Sequence, residues 1–242
     1  MRLAVGLQWV REAILAGTAR RVFVEARAND AHQLEALARF ASDRKLPVER
    51  TPRSELDRRT EGDRHQGVVA ELNPFELRAL PDLVVDEALV IALDEITDPH
   101  NLGAVIRSAV AFGASVVLPE DKSAPLSSAM GRASAGAIEH ARVCRVPSLP
   151  RALEDLAHAG LAIVALDSAG EVDLDRHDLQ PPTCLVLGSE GKGLRRATRK
   201  ACTSSARLVM RGPIASLNAS VAAGIALHEV VRQRRATYGS TP

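Results

Sequence analysis

The sequence predicts an α/β protein: a small mixed α/β module followed by a larger parallel sheet covered by helices. Three observations carry this. Apolar runs of five to nine residues alternate with helix-length amphipathic segments from Ala88 onward. The segment before Leu72 mixes helical and extended stretches on a shorter rhythm. Between them lies NPFELRALPDLVVDE, with two prolines and no sustained period. This divides the 242 residues into a module over 1–72, a linker over 73–87 and a main domain over 88–242.

In the first module, residues 7–16 carry apolar positions at helical spacing, RVFVEA (21–26) is rich in β-formers, and 31–44 reads as helix. LPVERT (46–51) reads as extended, and HQGVVAEL (65–72) as a closing strand. Its charges, 13 basic against 11 acidic, are too balanced to signal an RNA contact. In the main domain, ALVIALDEI (88–96) is a strand, NLGAVIRSAVAFGA (101–114) a helix and ASVVLPE (114–120) a second strand. A helix follows Pro125, then strand RVCRVPS, helix LPRALEDLAHAG and strand LAIVALD (161–167). TCLVLGSE (183–190) and ARLVM (206–210) are the last strands, and residues 216–234 form a long closing helix.

The hydrophobic fraction of 46% and charged fraction of 25% are those of an ordinary globular protein. No apolar run approaches the ~20 residues of a membrane span, and the early charges in MRLAVGLQWVREAI do not suit a signal peptide. Cys144, Cys184 and Cys202 lack CxxC spacing, which argues against a disulfide framework or a zinc site and points to the cytoplasm. The histidines show no HExxH and no close pair, so no metal is expected. Aromatics at 2% argue against base-stacking modules.

Three turns after apolar strands could carry chemistry, because α/β sheets place ligands at strand C-termini. In DPHNLGAVIRSA (98–109), Pro99 fixes the turn, Asn101 can cap the helix, and Arg107 lies over the bare surface at Gly103. In LVLGSEGKGL (185–194), three glycines within six residues let backbone amides approach a ligand, and Glu190 is unusual in such a turn. In VMRGPIASLNASVAAG (209–224), Gly212-Pro213 forces a turn, Ser216 can cap the final helix, and Asn218 projects near its first turn. Taken singly, each has a plain structural reading: a capped helix with a surface arginine, a tight turn, and a second capped helix with Val221, Ile225 and His228 at a core or interface. Residues 191–211 add seven basic side chains and no acid, next to two of these turns. The glycines fall as GxxGxG, not GxGxxG, which excludes a Rossmann dehydrogenase, and no Ser or Thr follows Lys192 to make a P-loop.

In order, PHNLGAVIRSA, LVLGSEGKGL and SLNASVAAGIALHE resemble the three signature motifs of the SpoU (TrmH-like) RNA 2′-O-methyltransferases, over residues 88–235. GLQWVREAI and HQGVVAEL resemble the L30e-like substrate-binding module of the RlmB branch. The resemblance implies a SPOUT fold with a deep trefoil knot, a homodimer, S-adenosylmethionine as cofactor and RNA as substrate. It implies cofactor contacts from Leu187, Gly188, Glu190, Gly191, Gly193, Val209, Met210, Gly212, Ser216, Leu217 and Asn218, with Gly136 bordering the same pocket. Asn101, Arg107, Glu190, Ser216 and Asn218 are implied as catalytic. Family accounts make the arginine at position 107 the base. A guanidinium pKa exceeds ~12, and a neighbouring phosphate favours the charged form, so binding the phosphate and orienting the ribose is an equal role. The RlmB branch implies a guanosine in the peptidyl-transferase region of 23S rRNA. A tRNA target, a resistance-type rRNA adenosine and a non-catalytic ribosome assembly factor are the alternatives.

Overall fold

The computed structural model describes residues 2–26, 31–189, 191–214 and 216–238. The elements in order are β1 (Arg2–Val5), α1 (Leu7–Leu15), β2 (Ala19–Glu25), α2 (Ala31–Asp43), β3 (Val48–Thr51), α3 (Arg53–Arg59) and β4 (Val68–Leu72). They continue with β5 (Leu89–Asp94), α4 (Pro99–Ala111), β6 (Ser115–Pro119), α5 (Ser128–Ala133), β7 (Val143–Val146), α6 (Leu149–His158) and β8 (Ala162–Leu166). β9 (Val172–Asp173), β10 (Thr183–Gly188), α7 (Arg196–Lys200), β11 (Ser204–Arg207) and α8 (Ala219–Tyr238) complete the chain. Among the described residues, no helix is long and apolar enough to cross a membrane.

The chain forms two compact units, and the first is discontinuous: residues 1–76 with 126–140, against 77–125 with 141–242. In the first unit a four-stranded sheet runs β1-β4-β2-β3, antiparallel except for the parallel β2–β3 pair. α1 presents Trp9, Val10, Ala13 and Ile14 to its core. Residues 126–140 pack there because Gly131 lacks a side chain. A Cβ at that position would stand 2.1 Å from the Trp9 ring. Glu139, whose side chain is wholly buried, accepts hydrogen bonds from Trp9 Nε1 (2.9 Å) and Thr18 Oγ1 (2.7 Å) and pairs with Arg2.

The second unit holds a seven-stranded parallel sheet in the order β7-β6-β5-β10-β8-β11-β9. β5, β6 and β10 are buried at every position, as strands covered on both faces must be. Leu149, Leu153 and Leu156 of α6 cover one face with Leu83, which lies in the 3-10 turn Leu80–Leu83 before β5. On the other side α4 and α8 pack together, α4 against β6 and α8 against β10. Strand order reverses about β10, which enters between β5 and β8 although β8 precedes it in sequence. That reversal is where open α/β sheets leave a crevice at their C-terminal edge.

Several sequence readings shift. α3 and the short strands β1 and β9 are additions, being too short to show a period. β11 ends at Arg207, so Leu208 to Met210 lie beyond the sheet. Asp98, not Asn101, caps α4: its side chain accepts the His100 N–H at 2.9 Å, because Pro99 takes the first helical position.

Desolvation raises the pKa of all three thiols. Cys184 is enclosed and its pKa is driven far above that of a free thiol, Cys202 is pushed up to about 11, and Cys144 is raised as well, in each case chiefly by desolvation. Raised values leave the neutral thiol dominant at all pH below them. Iodoacetamide at pH 8 is therefore expected to leave the folded protein unlabelled by mass spectrometry, and to label all three cysteines after unfolding.

Candidate active site

The crevice at the β10–β8 edge is a cavity of about 310 Å³, inside the size range of small-molecule sites. Leu187 and Gly188 of β10, then Ser189, Gly191 and Gly193, form one wall. Leu208, Met210, Ser216 and Leu217 form another, and Ala219 and Ala222 of α8 close the end.

The glycine loop has a steric logic. After Gly188 the chain turns back on itself: Ser189 and Gly193 form an antiparallel bridge, with the Gly193 N–H donating to the Ser189 carbonyl at 2.9 Å. A Cβ on Gly188 would lie 2.2 Å from the Gly193 carbonyl carbon, so any other residue would force the loop off the strand. Gly191 and Gly193 have φ of +79° and +65°, the left-handed region that only glycine enters cheaply.

A buried ion pair fixes the far end of this loop. Asp94, wholly buried at the C-terminus of β5, is the register partner of Gly188. Its carboxylate accepts the Arg195 backbone N–H at 2.9 Å and Arg195 Nε at 2.7 Å, and Arg195 Nη2 lies 2.6 Å away. These bonds hold the Arg195 guanidinium pKa above its ordinary value. Glu95, at φ +59°, stands 3.7 Å from the same arginine and 3.1 Å from Lys122 Nζ.

The third motif meets the first directly. Asn218 Nδ2 donates to Asn101 Oδ1 at 2.9 Å, while Asn218 Oδ1 accepts from the Ser220 N–H and hydroxyl. Asn218 thus caps α8, a role the sequence reading gave to Ser216. Ser216 instead lines the cavity. Arg107 is exposed on α4 and makes no ion pair among the described residues.

Of the residues the sequence pointed to for the cofactor, Leu187, Gly188, Gly191, Gly193, Met210, Ser216 and Leu217 line the cavity. Val209, Gly212 and Asn218 stand outside its lining. Gly136 is elsewhere, in the first unit with φ +84°, where a Cβ would meet the Trp9 and Glu12 atoms. Glu190 lies outside the described residues. Leu166, Asp167 and Ser168, at the end of β8, line the cavity and were missed. The LAIVALD strand signalled them, since its C-terminus falls on the ligand edge of a parallel sheet. The basic run is less free than its count suggested: Arg195 pairs with Asp94, Arg199 with Asp167 and Arg207 with Asp173. Lys192, Arg196, Lys200 and Arg211 remain exposed and unpaired among the described residues.

The cavity suits an elongated amphipathic ligand. Leu187, Met210 and Leu217 offer apolar contact, and the glycine loop offers backbone polar groups. S-adenosylmethionine, with an adenine and a polar amino-acid tail, fits that description. No group of three or more metal-ligating side chains occurs among the described residues. Gly188→Ala is expected to abolish cofactor binding in calorimetric titration while the rest of the sheet persists by circular dichroism.

Comparison with known proteins agrees with this geometry. Residues 88–228 match the SpoU rRNA Methylase family. Residues 3–78 match the family described as RNA 2′-O ribose methyltransferase substrate binding. A protein of Mycolicibacterium vanbaalenii called an uncharacterized tRNA/rRNA methyltransferase is 39% identical over 241 residues, spanning 96% of this chain and 77% of that protein. The 23S rRNA (guanosine-2′-O-)-methyltransferase RlmB of Pseudomonas syringae pv. tomato is 42% identical over 211 residues, 84% of each chain. The crystal structure of the SpoU methyltransferase AviRb from Streptomyces viridochromogenes, in complex with AdoMet, superposes with a TM-score of 0.78 at 27% identity, covering 97% of this chain and 90% of that one. The chain belongs to the SpoU rRNA methylase family of S-adenosylmethionine-dependent RNA 2′-O-methyltransferases.

Proposed function

We propose that the protein methylates the ribose 2′-hydroxyl of a guanosine in the peptidyl-transferase region of 23S rRNA, acting in the cytoplasm as a homodimer. The observation that carries the chemistry is the convergence of the three motifs: a glycine loop pinned by Asp94, a cavity beside it, and an Asn218–Asn101 hydrogen bond joining the third motif to the first. The choice of rRNA guanosine rests on the RlmB relative.

S-adenosylmethionine, when bound, would supply an electrophilic methyl group on a sulfonium whose sulfur departs as a neutral thioether. What remains for the protein is alignment and removal of the hydroxyl proton. Leu187, Met210 and Leu217 flank the adenine, and the backbone of the glycine loop, with Ser216, holds its polar parts. Arg107, exposed and without an ion pair among the described residues, takes the substrate phosphate and sets the ribose. Asn101, fixed by Asn218, orients the reacting hydroxyl, and Glu190 completes the set. Lys192, Arg196, Lys200 and Arg211 hold the RNA backbone. A trefoil knot, formed where the chain passes from β10 to α8, would make this loop cluster rigid.

The dimer is supported by apolar surface. Val209, Ile214, Val221 and Ile225 are 57%, 68%, 48% and 45% exposed, next to the cavity and along α8. Exposed apolar side chains of this kind suit burial against a second copy.

Methyl transfer from radiolabelled S-adenosylmethionine to a transcript of the peptidyl-transferase domain, with a tRNA as comparison, tests the proposal. Label in an alkali-resistant 2′-O-methyl linkage of the rRNA is expected. Label in tRNA alone would overturn the substrate, and cofactor binding without transfer to RNA or to ribosomal particles would indicate an assembly factor. Arg107→Lys is expected to keep the cofactor affinity and lose most turnover, and near-wild-type turnover would remove Arg107 from the catalytic set. Arg196→Glu with Lys200→Glu should weaken RNA binding and flatten its salt dependence by about two phosphate contacts.

A further inference from the structure

The first unit contains a cavity of its own, of about 320 Å³, that the methyl-transfer chemistry does not use. Its walls are β1, the turn after α3, Phe75, and residues 126–139. They are braced from behind, since Trp9 lies flush on Gly131 and the buried Glu139 ties together Trp9, Thr18 and Arg2.

The charges around it are spoken for. Arg2 pairs with Glu139, Arg59 with Glu55 and Glu71, and Asp63 with Arg132. Arg2 Nε is shielded from solvent, so it is not presented to the cavity. One polar group is left over. The Glu61 carboxylate is exposed, with no partner among the described residues. The Arg2 guanidinium also lies over the Phe75 ring, 5.4 Å from its centre. The cavity therefore offers a flat aromatic and guanidinium surface and one acceptor.

A phosphate does not suit it, because Glu61, Asp63 and Glu139 put three carboxylates in the lining against two arginines that are already neutralised. A neutral planar group with hydrogen-bond donors on its edge does suit it. Proteins read RNA sequence in this way, splaying single bases onto aromatic or arginine planes and bonding their edges. The lining falls largely within the residues matching the substrate-binding family. We propose that this cavity takes one unstacked nucleobase of the RNA substrate. The base stacks on the Phe75 and Arg2 surface and donates an amino group to Glu61. The pocket would select the RNA rather than act on the methyl group. This rests on the reading of the protein as an RNA methyltransferase.

Phe75→Ala, Glu61→Ala and the blocking variant Ser128→Trp test it, all at partly or fully exposed positions. Filter binding to the peptidyl-transferase transcript is measured without turnover, beside S-adenosylmethionine titration and kcat. Phe75→Ala and Ser128→Trp are expected to weaken RNA binding about tenfold or more, with cofactor affinity and kcat at saturating RNA within about twofold of wild type. Wild-type RNA affinity in all three variants would overturn the pocket and leave the methyltransferase reading intact. A wild-type protein that neither binds nor methylates the transcript would overturn both.

Discussion

The arrangement of the catalytic unit depends on one buried carboxylate. Asp94 ends β5, is wholly shielded from water, and has a single cationic partner within hydrogen-bonding distance among the described residues, Arg195. Removing one member of such a pair typically costs about 3–5 kcal/mol, because the other charge is stranded. The consequence is positional. Arg195 follows the glycine loop directly, so the loop is gripped at both ends: at Gly188 by the sheet register with Asp94, and at Arg195 by the same carboxylate. The residues after Asp94 lead through Glu95 into the turn capped by Asp98 and so into α4. One side chain thereby relates the glycine loop to the helix that carries Asn101 and Arg107.

The rest of the site follows from the sheet. Inserting β10 between β5 and β8 places the ends of three strands side by side, and the cavity opens above two of them. Because the β10 and β5 strands are buried on both faces, their ends move little, and loops rooted there are held to the geometry of the core. α8 then returns over β10 and packs against α4, so that its cap, Asn218, reaches Asn101 across 117 residues of sequence.

The layout of the large sheet was legible because buried parallel strands read as unbroken apolar runs. LVIALD, SVVLP and TCLVLG announce themselves, whereas the two-residue β9 and four-residue β1 carry too few positions to show a pattern. The glycine loop was legible by composition, but the reason for Gly188 was not: its clash is with Gly193, a contact created only when the loop folds back. Caps were misplaced by three positions and by two, at Asp98 for Asn101 and at Asn218 for Ser216. Nearby cap-forming residues compete, and at α4 Pro99 decides in favour of the residue before it. The basic run between 191 and 211 overstated the free charge, since its acidic partners, Asp94, Asp167 and Asp173, are distant in sequence. For the same reason, nothing local in residues 126–140 showed that Gly131 and Glu139 would serve the core around Trp9.

If Asp94 governs the cofactor loop, its effect must appear in cofactor affinity and not only in stability. The direct measurement is calorimetric titration of S-adenosylmethionine into Asp94→Asn, with thermal unfolding of the same preparation. The variant keeps the side chain's shape and loses the charge that Arg195 grips, so cofactor affinity should fall by about tenfold or more at a temperature where the sheet remains folded. Wild-type affinity in a folded but less stable variant would contradict the account, and would reduce the Asp94–Arg195 pair to a brace for the sheet alone.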